Sequence, residues 1–144
     1  MNLRCIRYRS GYKYQLQRAH VDVVAIRPDA PITTDWVSLT LDGTLTVRGG
    51  YAWDGPSGPS LDTPSFMRGS LVHDALYQLM RLQTLDAGRW REAADRELHR
   101  ICREDGMSWL RAWWVHRAVR WFGEPATWPE ARKPVETAPR RCAV

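Results

Sequence analysis

The sequence has few cysteines and no long apolar run. The three cysteines, Cys5, Cys102 and Cys142, are odd in number and widely spaced, which suits neither a disulfide framework nor a paired zinc site. No apolar stretch approaches the ~20 residues that a membrane-spanning helix needs. The basic N-terminal segment has no apolar stretch after its arginines, so we expect no secretory signal peptide. Together these features indicate folding in a reducing compartment.

Acidic residues are too few to balance the basic ones. Lys and Arg number 21 against 16 Asp and Glu, which leaves a net charge of +5. Such a field favours partners that carry phosphate, such as anionic lipid headgroups or nucleic acid, and also acidic proteins. The same arginines could instead keep a chain with eight tryptophans soluble, so the charge alone does not choose a partner.

The N-terminal part lacks helical periodicity and has the features of β-strands. Alternating β-branched and aromatic residues fill YKYQLQRAHVDVV (12–24), and two further runs, WVSLTL and DGTLTVRGGY, meet at Asp42-Gly43. An Asp-Gly pair between two such runs is a strong hairpin signal, because a tight primed turn needs positive φ. We therefore predict a small antiparallel sheet in a β-rich part, residues 1–50.

The pattern changes to a helical period after a loop rich in Gly and Pro. It predicts helices from Pro64 or Ser65 to Leu82, from Asp86 to Arg103 and from Ser108 to Phe122. Strands followed by helices are typical of an α+β fold.

The length of 144 residues fits one globular domain, which we place at residues 1–123, with the loop and helical core at 51–123. Residues 124–144 hold four prolines and little apolar material, so we predict a flexible or peripherally draped tail.

The first predicted helix carries His73 and Asp74 inside an otherwise apolar stretch. His73 and Tyr77 are four residues apart and share a face, whereas Asp74 points about 100° away. Asp95 lies at the edge of the apolar stripe of the second helix, where a carboxylate is costly unless it is paired. We predict that His73 pairs with Asp95 across antiparallel helices and that Tyr77 donates to Asp95. An imidazole held in this way presents its other nitrogen as a general base.

Asp74 is left to face the glycine-rich loop. There Asp54 offers a second carboxylate and the loop backbone offers carbonyl oxygens. Hard oxygen ligands of this kind suit Ca²⁺, so the sequence predicts a calcium site.

Two motifs carry a resemblance to known families. GGYAWDGPSGP with SLVHDALYQLMR resembles a family of unknown function found in bacteriophages and prophages. The loop, the His-Asp-x-x-Tyr helix and the later aspartate resemble the phospholipase A2 superfamily over roughly residues 51–123. The chain departs from the secreted phospholipases, because Val72 precedes His73 and the cysteines that brace their catalytic helix are absent.

The resemblance implies a role for each candidate residue. His73 would activate water, Asp95 would orient the imidazole, and Asp74 with Asp54 and Gly55 would hold calcium. It further implies a phospholipase A2-like core of antiparallel helices and calcium-assisted hydrolysis of a phospholipid or related ester. The protein is then expected in the host cytoplasm or in a phage virion.

Several alternatives remain open from the sequence alone. The cluster could be a rigid packing network in a non-enzymatic tail or capsid component, and the loop around Asp54 could only shape a turn. We expect most tryptophans of the last helix, SWLRAWWVHRAVRWF, to lie in the core; the alternatives are a lipid surface or a docking face on a phage assembly. Stacking on nucleic acid bases is the least expected role for this helix.

Overall fold

The computed structural model describes residues 6–8, 11–55 and 63–138. These residues form short antiparallel sheets followed by three α-helices, which confirms the α+β class. The strands are β1 (Ile6–Tyr8), β2 (Tyr14–Gln15), β3 (His20–Val23), β4 (Ile32–Thr33), β5 (Val37–Leu39), β6 (Thr44–Val47), β7 (Ala52–Trp53) and β8 (Glu136–Ala138). The helices are α1 (Pro64–Arg81), α2 (Ala87–Glu104) and α3 (Trp109–Phe122).

The main sheet has four antiparallel strands in the order β3-β6-β5-β4. Its alternating pattern buries Leu39, Leu45 and Val47 on one face, against the helices. The single strand expected at 12–24 is in fact two strands in different sheets. β2 pairs with β7, where Tyr14 lies opposite Trp53, whereas β3 belongs to the main sheet. The alternation of apolar and polar residues runs through both strands, so it did not show that they have different partners.

The Asp42-Gly43 hairpin is confirmed, because β5 and β6 are joined there in antiparallel register. The turn differs from the two-residue primed turn that was expected. The Gly43 amide donates to the Thr40 carbonyl at 3.1 Å, and Gly43 has φ of +85° whereas Asp42 has no positive φ. This is the longer kind of hairpin loop, in which one glycine in the left-handed region closes a β-turn.

The three helices lie close to their predicted positions. Asp86 caps α2 by accepting from the Gly88 amide at 3.0 Å, and Ser108 caps α3 by accepting from the Arg111 amide at 3.3 Å. α1 runs antiparallel to α2, since Gly69 lies against Cys102 while the later His73 meets the earlier Asp95. None of the helices in the described ranges is long and apolar enough to cross a membrane.

The segment after α3 is more regular than its composition suggested. Residues 124–131 form two short 3-10 helices, and β8 then pairs with β1, where Ile6 lies opposite Ala138. The first 3-10 helix packs on α1, since Arg81 Nη1 donates to the Ala126 carbonyl at 2.9 Å. The prolines that indicated a flexible tail here begin 3-10 turns, because their fixed φ is compatible with them. Residues 139–144 of the predicted tail lie outside the described residues.

Candidate functional site

Asp95 is the centre of a polar cluster buried between the helices. Its side chain is fully buried on α2. Oδ1 accepts from His73 Nε2 at 2.7 Å and from the Tyr77 hydroxyl at 2.5 Å, and Oδ2 accepts from Arg120 Nη1 at 2.8 Å. The structure thus brings together His73, Tyr77 and Asp95, the three residues that the sequence grouped as catalytic.

Helical periodicity explains how two of the donors reach the same carboxylate. His73 and Tyr77 are one turn apart on the face of α1 that meets α2, and their ring centroids are 4.0 Å apart. Asp95 projects from the facing side of α2, next to buried Ala94 and Leu98. The apolar neighbours leave the carboxylate no water, so its oxygens depend on these donors.

The donors keep Asp95 ionised despite its burial. Burial alone raises the pKa of a carboxyl group, but the hydrogen bonds from His73, Tyr77 and Arg120 outweigh it and lower the pKa of Asp95 below its ordinary value. Burial and the adjacent carboxylate raise the pKa of Tyr77, so its hydroxyl keeps its proton and remains a donor. The cluster therefore holds one permanent negative charge against a cationic guanidinium.

Two arginines of the cluster were not predicted from the sequence. Arg120 comes from α3, and Arg91 of α2 donates from Nε to the Tyr77 hydroxyl at 3.3 Å. Arg91 Nη2 also donates to the carbonyls of Val119 and Arg120, at 2.7 and 2.9 Å, and so ties α2 to the end of α3. A buried carboxylate needs a cationic partner, so the sequence did indicate that an arginine or lysine lies near Asp95. It contains several arginines, and nothing in the pattern indicated which of them packs there.

The second nitrogen of His73 has no hydrogen-bond partner among the described residues. The His73 side chain is 13% exposed, and Nδ1 forms no hydrogen bond to the described residues. Across the described ranges, His116 Nε2 is the single buried side-chain nitrogen or oxygen without a hydrogen-bond partner, so Nδ1 of His73 is not a fully buried unpaired atom. The ring is held through one nitrogen and presents the other.

Asp74 lies on a different face of α1 from His73, as the helical offset predicted. It accepts from the Tyr51 hydroxyl at 2.5 Å and forms an ion pair with Arg81 at 3.5 Å. Burial and this carboxylate raise the pKa of Tyr51 well above its ordinary value, so Tyr51 stays a donor. Asp74 and Asp54 both line a cleft of about 990 Å³, whose lining does not include His73.

The described residues do not fit a calcium ion in their present arrangement. Asp54 forms an ion pair with Lys133 at 3.3 Å, and Asp74 is neutralised by Arg81. Gly55 has φ of +72°, and a Cβ there would lie 2.5 Å from the Tyr14 ring. Both features require glycine for the shape of the turn. In the part of the chain that the structure describes, no group of three or more His, Cys, Asp or Glu side chains is arranged to hold a metal.

The sequence also offered backbone carbonyls of the glycine-rich loop as calcium ligands, and residues 56–62 of that loop lie outside the described residues. The calcium site therefore stays a prediction.

Comparison with known proteins adds no further information about the site. No family model, no curated protein and no solved structure matches the chain. The resemblances to the phage family and to the phospholipase A2 superfamily therefore stay predictions.

Proposed function

We propose that this protein is a hydrolase with a phospholipase A2-like helical core, in which His73 activates water for attack on a phospholipid or related ester. The observation that carries the proposal is the two-sided environment of the imidazole. Nε2 is held by a buried, ionised carboxylate, whereas Nδ1 has no partner among the described residues. This arrangement fixes the tautomer in which Nδ1 accepts a proton.

The proposed reaction needs one water and one ester. As the water oxygen attacks the acyl carbon, a proton of that water passes to His73 Nδ1, and Asp95 stabilises the imidazolium that forms. The ester C–O bond then breaks, and the proton passes from Nδ1 to the leaving alkoxide. The products are a carboxylic acid and an alcohol. Tyr77 and Arg120 act as positioning residues, because they hold Asp95 without contacting the reacting atoms.

No step of this reaction is assigned to calcium, because Asp54 and Asp74 are each paired with a basic side chain. The calcium site that the sequence predicts concerns the Asp74 face of α1 and is tested separately.

The test is release of fatty acid from phospholipid in mixed micelles by the wild type and by His73→Asn. We expect the substitution to lower kcat by about 10²–10⁴-fold, the usual contribution of a general base. His20→Asn is a matched control, because His20 also contacts an aspartate through Nε2, at 3.2 Å from Asp22, but lies on β3 outside the cluster. The control should retain wild-type turnover. Equal turnover by the wild type and His73→Asn would contradict the proposal.

One observation favours a second candidate, a non-enzymatic component of a phage tail or capsid. The Asp95 carboxylate joins all three helices, through His73 on α1 and Arg120 on α3, so the cluster has a packing role whether or not it is catalytic. This candidate predicts that His73→Asn lowers the melting temperature while the wild type hydrolyses neither phospholipids nor simple esters.

A further inference from the structure

Helix α3 exposes a broad aromatic face. Its buried residues are Ala112 and Val115, which face α2 and the preceding loop. The exposed large side chains occupy one wide arc of the helix and retain 55% to 77% of their accessible surface; they are Trp109, Leu110, Trp114, Trp121 and Phe122. Three of the four tryptophans of α3 therefore lie on the surface, so the expectation that most of them are in the core was wrong. A contiguous apolar patch of this kind indicates a surface that another body covers.

The charge on this face has one sign. The chain has no acidic residue between Asp105 and Glu124, whereas Arg111, Arg117 and Arg120 fall in that interval. Arg120 is directed inwards to Asp95, so its charge is already balanced. Arg117 remains on the exposed arc, so the charge that α3 itself presents there is positive.

Arg117 is held in the middle of the aromatic face. Its guanidinium lies 5.2 Å from the Trp113 ring centroid and 4.7 Å from that of Trp121. Guanidinium groups stacked on tryptophan keep their outer edge free for phosphate oxygens. Two copies meeting about a twofold axis on this face would bring their Arg117 side chains together, and like charges in contact oppose such a dimer.

A phospholipid surface complements both properties. Tryptophan rings are favoured at the boundary between headgroups and acyl chains, and arginine stems extend through that boundary to the phosphates. An apolar face with basic and no acidic residues binds anionic lipid by apolar burial together with electrostatic attraction.

We propose that α3 is the face by which the protein docks on an anionic phospholipid surface. Trp109, Trp114 and Trp121 insert at the headgroup boundary, and Arg117 binds lipid phosphate. In its choice of lipid this inference rests on the proposed function, which it deepens by naming the surface from which the substrate comes. The same helix supplies Arg120 to the carboxylate that holds His73, so docking would fix the site relative to the lipid.

The experiment measures binding to sucrose-loaded vesicles of diether phosphatidylglycerol by co-sedimentation. These lipids contain no ester bond, so binding is measured apart from hydrolysis. We expect the wild type to bind and the double variant Trp114→Ser/Trp121→Ser to bind at least about tenfold more weakly, because it loses two exposed rings. Trp36→Ser is the matched control, since Trp36 is 46% exposed but follows β4, away from α3.

A second pair of variants separates this face from net charge. Arg117→Glu and Arg18→Glu change the net charge equally, and Arg18 is an exposed residue of the N-terminal part. We expect Arg117→Glu to weaken vesicle binding several-fold more than Arg18→Glu. Equal effects would overturn the proposal, because they would show attraction by net charge alone.

Three other results would also overturn it. They are a wild type that does not bind the vesicles, equal losses in the double variant and in Trp36→Ser, and a dimer in sedimentation velocity that the double variant abolishes. Binding to diether vesicles without hydrolysis of the matching ester lipids would keep the docking face and remove the proposed hydrolase. If the double variant hydrolyses ester-lipid vesicles as fast as the wild type does, the proposed hydrolase would stand and the docking face would be removed.

Discussion

Asp95 determines the chemistry of the cluster because it is a buried charge with several donors. A carboxylate withdrawn from water is stable only when its oxygens are fully hydrogen-bonded and a cation is near. Here His73 and Tyr77 share Oδ1, and Arg120 takes Oδ2. The neutral amide of asparagine would leave Arg120 without its counter-charge and turn an NH₂ group towards one of these donors.

We therefore expect Asp95→Asn to lower the free energy of unfolding by about 3–5 kcal/mol at pH 7. The folded-state pKa of Asp95 is depressed, so its stabilisation is complete above the ordinary Asp pKa of about 3.9 and is lost as the pH falls through the lower folded-state value. The measurement is urea unfolding of both proteins from pH 7 to pH 2. The difference between them should shrink below about pH 4.

Asp29→Asn provides the control for this experiment. Asp29 is paired with Arg89, but its side chain is 85% exposed, and exposed pairs add little stability. A difference between Asp95→Asn and the wild type that stays constant down to pH 2 would show that the pKa of Asp95 is the same in the folded and the unfolded protein, which would contradict its depression in the fold.

Asp74 is the residue at which the sequence and the structure suggest different partners. The sequence pattern predicts calcium, whereas the structure gives its oxygens to Tyr51 and Arg81. Because Tyr51 and Arg81 each take one oxygen and Arg81 balances the charge, we expect millimolar calcium to leave the melting temperature of the wild type unchanged. Asp74→Asn should lower the melting temperature equally with and without calcium.

Titration calorimetry with calcium on the same two proteins checks this expectation directly. Saturable binding by the wild type that Asp74→Asn abolishes would establish the predicted calcium site, and calcium would then raise the melting temperature by mass action.

At the scale of single elements, α1 divides its polar residues between two neighbours. The angular offset of successive residues sends His73 towards α2 and Asp74 towards the sheet-side cleft. Close packing of α1 on α2 makes the first contact possible. A Cβ at Gly69 would lie 2.9 Å from Cys102 Sγ and 3.1 Å from Leu98 Cδ1, so glycine permits the helices to approach.

We expect Gly69→Ala to lower the free energy of unfolding by roughly 1–2 kcal/mol, because overpacking outweighs the better helix propensity of alanine. Gly88→Ala is the matched control within α2, since a Cβ there meets only Asp86 Oδ1, at an ordinary 3.4 Å. The control should be neutral or stabilising by up to about 1 kcal/mol. Thermal unfolding of both variants is the measurement, and equal effects would show that the α1–α2 contact tolerates a methyl group.

The elements that the sequence predicted well are those that carry their own local signals. Capping residues such as Asp86 and Ser108 placed the helix starts to within a residue, because a cap acts on the amides next to it. β4 and β7 were missed because each has two residues. Strands this short form only because a partner strand lies beside them, and the local sequence pattern does not show which segments pair.

At the scale of the whole molecule, the two ends of the described chain meet. β1 and β8 pair although more than a hundred positions separate them in the sequence, and the 3-10 segment between α3 and β8 covers part of α1. Proline content indicated a flexible or peripherally draped tail, and the packing on α1 agrees with the second of these. The pairing of β8 with β1 was not predicted, because composition does not show which distant segments pair.

The sequence by itself determined the α+β class, the helix ends and the grouping of His73, Tyr77 and Asp95. Periodicity sets which residues share a face, and the cost of a buried carboxylate sets which residues must pair. The tertiary structure alone decided that Arg120 completes the cluster, that Arg81 neutralises Asp74 and that the tryptophans of α3 face outwards. Each of these depends on which surfaces of the folded chain meet. The sequence alone does not decide this, because several side chains of the same type could make the same contact.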